Sequence, residues 1–294
     1  MENCGLSIFC PHADEDGKPR IWLSPGTGLA QTLNPRVPYG KSSFIPREPW
    51  RQATSQETKE LLCTEASDDI GHCVGIVKIS SEALRPLHAL RLAHAPSEAA
   101  ILQMVKSEKY PPAKTILAEY LIGYRHKHGD EKIHDPIVNG PGLTTTTYDY
   151  QNKYFLGLHL DSWNNMPYDL RHQSPNRISV NLGLQDRYFL FIGIPFATVM
   201  ERAGYTSPPN PQDVPTTDII KSFLARFPDQ PVVKVRVSPG EAYIAPTENI
   251  IHDGSSEGQT GPDIHFTIRG YFGFTRAVEE KRGFFSKLVN SLRR

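Results

Sequence analysis

Residues 177–194 read RISVNLGLQDRYFLFIGI. Two apolar runs rich in β-branched and aromatic residues, RISVNLGL and RYFLFIGI, are split by the polar pair Gln185-Asp186. Runs of this length and composition, broken by a short polar turn, read as neighbouring strands. The same pattern recurs on both sides. Upstream stand LTTTTYDY at 143–150 and KYFLGLHLD at 153–161. Downstream come VVKVRV at 232–237, a Pro239-Gly240 turn, EAYIA at 241–245 and DIHFTIRGYFGF at 263–274. One helix interrupts them: Ile219, Ile220, Phe223, Leu224 and Phe227 form an apolar stripe behind Thr217-Asp218, a candidate cap. Short strands with Gly/Pro turns predict a mainly β (α+β) chain, a sandwich or barrel of the jelly-roll kind.

The first 142 residues differ. Up to about residue 80 they are dense in turn signals. From 81 to 125 the pattern turns helical. Ser97 is placed to cap one helix, and Ile116, Leu117, Tyr120, Leu121 and Tyr124 line one face of another that begins at Pro111-Pro112 and ends near Gly123. The expected organisation is a single domain: N-terminal loops and supporting helices over 1–142, a jelly-roll core over 143–275, and a basic C-terminal tail over 276–294.

Lys plus Arg and Asp plus Glu both number 32 in 294 residues, so the chain is formally neutral. It has no global field to hold nucleic acid or an anionic membrane, and neither is expected as a partner. No apolar run approaches a membrane span, and the N-terminus lacks the basic-then-apolar order of a signal peptide. The four cysteines, Cys4, Cys10, Cys63 and Cys73, form no C-x-x-C pair. They read as free thiols of a cytoplasmic protein.

Three tripeptides of the form H-x-D begin at His12, His128 and His159. Only His159 closes an apolar stretch. On a strand, positions i and i+2 share a face, so His159 and Asp161 would aim an imidazole and a carboxylate at one point. A plain His–Asp hydrogen bond at a strand end is the other reading. His252 follows a strand–turn–strand segment and reads as lying in a polar loop. Two histidines and one carboxylate form the ligand triad of non-haem Fe(II) oxygenases, leaving three positions open on the metal. In DIHFTIRGYFGF, His265, Thr267, Arg269, Tyr271 and Gly273 alternate onto one face of the strand. An arginine there needs an anion: a ligand carboxylate, or one of the protein's own acids.

H-x-D, a distal His and then an Arg on the following strand resemble the Fe(II)/2-oxoglutarate-dependent dioxygenase superfamily, over about 145–275. The resemblance implies a double-stranded β-helix with the N-terminal helices packed on one sheet. It implies Fe(II) held by His159, Asp161 and His252, 2-oxoglutarate held at its distal carboxylate by Arg269, and O₂ as oxidant. Thr267 and Asn181 are further candidates for co-substrate contacts. A carboxylate at Asp161 fits hydroxylation, desaturation or ring closure better than halogenation. Arg269 follows His252 at a longer gap than is commonest in the family, and Tyr271 stands where Ser or Thr is frequent. A rival pairing of His265 with Arg276 is disfavoured because Arg276 lies beyond the strand. Trp163, after the metal motif in Ser162-Trp163-Asn164-Asn165, and Arg171, with His172 and Arg177, are candidates for substrate contact. The expected substrate is a small molecule, such as an amino-acid derivative or a natural-product intermediate. Two other readings remain: a jelly-roll binding protein without oxygen chemistry, and a cupin-like metalloenzyme that uses no 2-oxoglutarate.

Overall fold

A computed structural model describes residues 5–277 apart from 14, 165, 206 and 210–212. The positions of Cys4 and of the tail beyond 277 lie outside the described residues. Ten strands carry the architecture: β1 (Ser7–Phe9), β2 (Ile21–Leu23), β3 (Cys73–Lys78), β4 (Ile137–Asn139), β5 (Asn176–Asn181), β6 (Arg187–Ile192), β7 (Val232–Val237), β8 (Glu241–Ala245), β9 (His252–Ser255) and β10 (Asp263–Gly270). The helices that matter here are α1 (Ser81–Ala89), α2 (Glu98–Val105), α3 (Tyr110–Ile122), α4 (Phe196–Ala203) and α5 (Thr216–Arg226).

An eight-stranded sheet runs β1-β3-β8-β5-β10, with two-residue strands at its margins and β4 also on β10. A five-stranded sheet runs β9-β6-β7-β2, closed by Arg51–Gln52. From β4 onward the chain alternates between them: β4 in the large sheet, a bridge from His159 onto the small sheet's edge strand β9, β5 in the large, β6 and β7 in the small, β8 in the large, β9 in the small, β10 in the large. This alternation is the jelly roll in its double-stranded β-helix form.

The polarity of β5 and β10 explains where a site can exist. Ile178, Val180, Ile264, Phe266 and Ile268 turn outward, joining Leu84, Leu87, Leu117 and Leu121 of the N-terminal helices in one apolar layer. The alternate residues turn inward in register, Arg177 beside Arg269, Ser179 beside Thr267 and Asn181 beside His265. One half of the sandwich interior is therefore polar. The other half is apolar, with Ile8, Val74, Ile76, Phe189, Phe191 and Val235 packed together. A third layer, Leu190, Ile192, Phe196, Val199, Ile219 and Phe223, buries the outer face of the small sheet under α4 and α5. Helices thus cover both sheets.

The helical region from 81 to 125 is three helices and a short 3-10 turn, and Ser97 caps α2 by accepting from the Ala100 amide. Several expectations need correction. KYFLGLHLD is not a continuous strand: its strand covers only Tyr154–Phe155, Gly157 then adopts φ +70, where a Cβ would collide with the Phe44 carbonyl, and pairing resumes as a single bridge at His159. LTTTTYDY contributes only Tyr148–Asp149. His252 is the first residue of a strand and not part of a loop. The cap of α5 is Pro215, with no side-chain bond, instead of Thr217-Asp218. Ile116, placed on the buried face of α3, is 45% exposed. Cys10, Cys63 and Cys73 are free thiols.

Candidate metal centre

His159, Asp161 and His252 converge at one end of the barrel, each offering a ligand atom within 4.8 Å of the others. His159 and His252 face each other through a two-way backbone bridge, His159 N to His252 O at 3.1 Å and His252 N to His159 O at 2.8 Å. Their rings lie 4.7 Å apart. Asp161 reaches the same point two residues on, with Oδ1 3.6 Å from His159 Nε2 and Oδ2 4.0 Å from His252 Nε2.

The imidazoles are oriented as metal ligands usually are, by a bond at the other nitrogen. His159 Nδ1 donates to the Gly157 carbonyl at 2.9 Å, and His252 Nδ1 donates to the Ile250 carbonyl at 3.0 Å. With the proton on Nδ1, each neutral ring would present the lone pair of Nε2 to the centre. Burial pushes His252 down to about 4, which keeps its ring neutral. Burial works the same way on His159, but the Asp161 and Asp253 carboxylates outweigh it and hold that ring up to about 10. A cation at the centre would take the place of the proton. Burial disfavours the Asp161 carboxylate, yet Arg177, 2.6 Å from its Oδ2, keeps it well below the usual range.

Other residues of this neighbourhood are silent as sequence. Asp253 is fully buried; its Oδ1 accepts from the Thr146, Thr147 and Gly254 amides and from the Thr147 hydroxyl. Its Oδ2 has no hydrogen-bond partner and stands 3.5 Å from His159 Nδ1. Deeper in the barrel, buried Arg187 binds Asp263 at 2.9 Å and keeps Nη1 unpartnered. Asp253 directly after His252 is the one hint available.

Arg269 lies on the inward face of β10, at the metal end. Its Nη2 bonds Asn164 Oδ1 at 2.6 Å and Glu248 Oε1 at 3.1 Å, and Nη1 is buried without a partner. Trp163, 54% exposed, stacks on the guanidinium at 4.9 Å. Thr267 is buried beside them and donates to the Ser179 hydroxyl at 3.0 Å. Asn181 is spent elsewhere: its amide binds the Gln185 and Val237 carbonyls and the Gly183 amide, holding the β5–β6 turn. Arg171 is not a pocket-facing cation. It is 1% exposed and clamps the Asp161 and Glu248 carbonyls. His172 stacks on His72 instead. Arg177, a candidate for substrate contact, is instead the inward partner of Asp161. His265 is buried beside Asp263, and Arg276 packs on Tyr120, so they form no rival site.

Fold and ligand set define a jelly-roll protein with a candidate two-histidine, one-carboxylate metal centre at the barrel mouth. Among solved structures, the chain is similar to the Kdo hydroxylase KdoO, a non-heme Fe(II) alpha-ketoglutarate-dependent dioxygenase, in complex with alpha-ketoglutarate and Fe(III), at 14% identity and TM-score 0.42, covering 69% of this chain and 81% of that one. The cobalt(II) form of the same hydroxylase is similar at 16% identity and TM-score 0.40, with the same coverage. No protein-family model matches the chain. No curated protein matches it either.

Proposed function

We propose that the protein is a non-haem Fe(II)- and 2-oxoglutarate-dependent oxygenase that hydroxylates, desaturates or cyclises a small molecule. The observation that carries this reading is the convergence of His159, Asp161 and His252 where the barrel interior is polar. The donor set suits Fe(II): two imidazoles with Nδ1 engaged and one carboxylate, a sparse set that leaves coordination positions open. Bound together, Fe(II), 2-oxoglutarate and O₂ supply oxidative decarboxylation coupled to oxidation of an unactivated C–H bond.

The chain's own residues orient and shield. Gly157 and Ile250 carbonyls fix the imidazole tautomers. Arg177 keeps Asp161 ionised. Arg269, through its unpartnered Nη1, is assigned to the distal carboxylate of 2-oxoglutarate, with the Thr267 hydroxyl beside it. Trp163 stands over Arg269 and is assigned to the wall that the substrate meets. One observation favours the cupin-like alternative: Arg269 already has an acid of its own, Glu248.

Anaerobic difference spectroscopy tests the reading. Fe(II) followed by 2-oxoglutarate should give a visible charge-transfer band that needs both and disappears in His159→Ala and Asp161→Ala. Arg269→Ala should still take Fe(II) but require far more 2-oxoglutarate for the band. Iron binding without any band selects the cupin-like enzyme. No iron binding leaves a jelly-roll binding protein.

A further inference from the structure

The strands that carry the candidate metal centre at one end carry a cavity at the other. Strand β8 shows the separation: Ala245 pairs with Arg177 next to Asp161, while Glu241, at the strand's start, lines the cavity. The cavity measures about 660 Å³, within the range of small-molecule sites. Leu84 and Leu87 of α1 form one wall, and Leu182 and Leu184 of the β5–β6 turn form the other. Leu184 is 59% exposed, an apolar side chain held at the rim.

The charges of the lining do not cancel evenly. Every acid is already engaged: Glu15 by Lys78, Asp16 by Arg236, and Glu241 by His12 and Arg20. Arg91, His88 and His94 remain, all exposed and with no side-chain partner among the described residues. Arg91 is also held at φ +54, a left-handed conformation just past the end of α1 where glycine is the usual occupant. A strained non-glycine residue kept at such a position is a pointer to use.

We propose that this cavity binds an amphipathic anion, its apolar body against Leu84, Leu87 and Leu184 and its carboxylate or phosphate head against Arg91, flanked by His88 and His94. The site is independent of the metal centre. Arg91→Gly makes a clean probe, because it removes the guanidinium and relieves the backbone at once, so the variant should melt no lower than the parent.

The experiment is isothermal titration of the full chain with dodecanoate, dodecyl phosphate, dodecyltrimethylammonium and an uncharged dodecyl glycoside, each below its micelle concentration. One anion per chain should bind, with the ammonium and glycoside weaker by roughly tenfold or more, a difference of one decade in Kd. Arg91→Gly should erase that preference, and His159→Ala should leave it intact. Preference between the two anions then identifies the head group. Equal binding of all four amphiphiles, retention of the preference in Arg91→Gly, its loss in His159→Ala, or no binding at all would each overturn the proposal.

Discussion

Asp253 illustrates how much of a candidate metal centre rests on a residue outside the ligand triad. Four donors saturate one of its oxygens and leave the other facing His159. Carboxylates behind metal-binding histidines fix the ring and raise its basicity, and losing one typically weakens metal affinity 10–100-fold. Asp253→Asn keeps the shape and most acceptor capacity, so calorimetric titration with Co(II) should show about tenfold weaker binding and a nearly unchanged melting temperature. An unchanged Kd would reduce Asp253 to a structural acceptor. The pairing of His159 with Asp161 was readable because i and i+2 share a face. Asp253 was not, because it meets His159 only across the bridge between two distant segments. Arg177 lies on a strand that was legible, but its role was not, because Asp161 meets it only across the folded site.

At the scale of elements, β10 and β8 behave differently from what their composition alone suggests. The outward face of β10 is the apolar one, and Phe266 is fully buried there under the helices. Phe266→Ala should cost about 3–5 kcal/mol in urea unfolding, the penalty for a large core cavity. On β8, burial alone would raise the Glu241 carboxyl, but hydrogen bonds from His12, Arg20 and the Ser238 amide bring it down to about 2. A depressed folded-state value means stability that is complete above the unfolded value and is lost as pH falls through the folded one. Glu241 therefore contributes up to about 3 kcal/mol above roughly pH 4.5, disappearing toward pH 2. Glu241→Gln should flatten the acid limb of a stability-against-pH curve in that window and shift it little in shape elsewhere. Alternation located β10 well, because eight consecutive residues obey it. It overran at KYFLGLHLD, where one glycine in a left-handed conformation interrupts the strand and leaves only the His159–His252 bridge beyond it.

For the whole molecule, the proposed metal would be thermodynamically linked to the fold. An ion that binds only the folded chain stabilises it by about 2.7 kcal/mol at a hundredfold excess over Kd. In a chain of this size that amounts to several degrees of melting temperature. Fe(II) under anaerobic conditions, or Co(II) in air, should raise the wild-type midpoint accordingly and leave His252→Ala unmoved. Helices pack on the outer faces of both sheets, and no helix among the described residues is long and apolar enough to cross a membrane. The helical layer at 81–125 was visible from periodicity. That α4 joins α5 over the small sheet was not, because α4 is one short helix of eight residues.

The position of β10 in the chain has a consequence for the order of events during synthesis. It is the last of the ten strands to leave the ribosome, yet it lies between β5 and β4 and supplies Arg269 and Thr267 to the interior. Translation proceeds at about 5–20 residues per second. For an interval on the order of ten seconds, one edge of β5 therefore waits with its backbone amides and carbonyls unpaired. Vectorial growth thus leaves a sticky edge until β10 emerges, and nascent chains stalled at Pro262 should associate with one another or with holdase chaperones, whereas chains released after Gly270 should not.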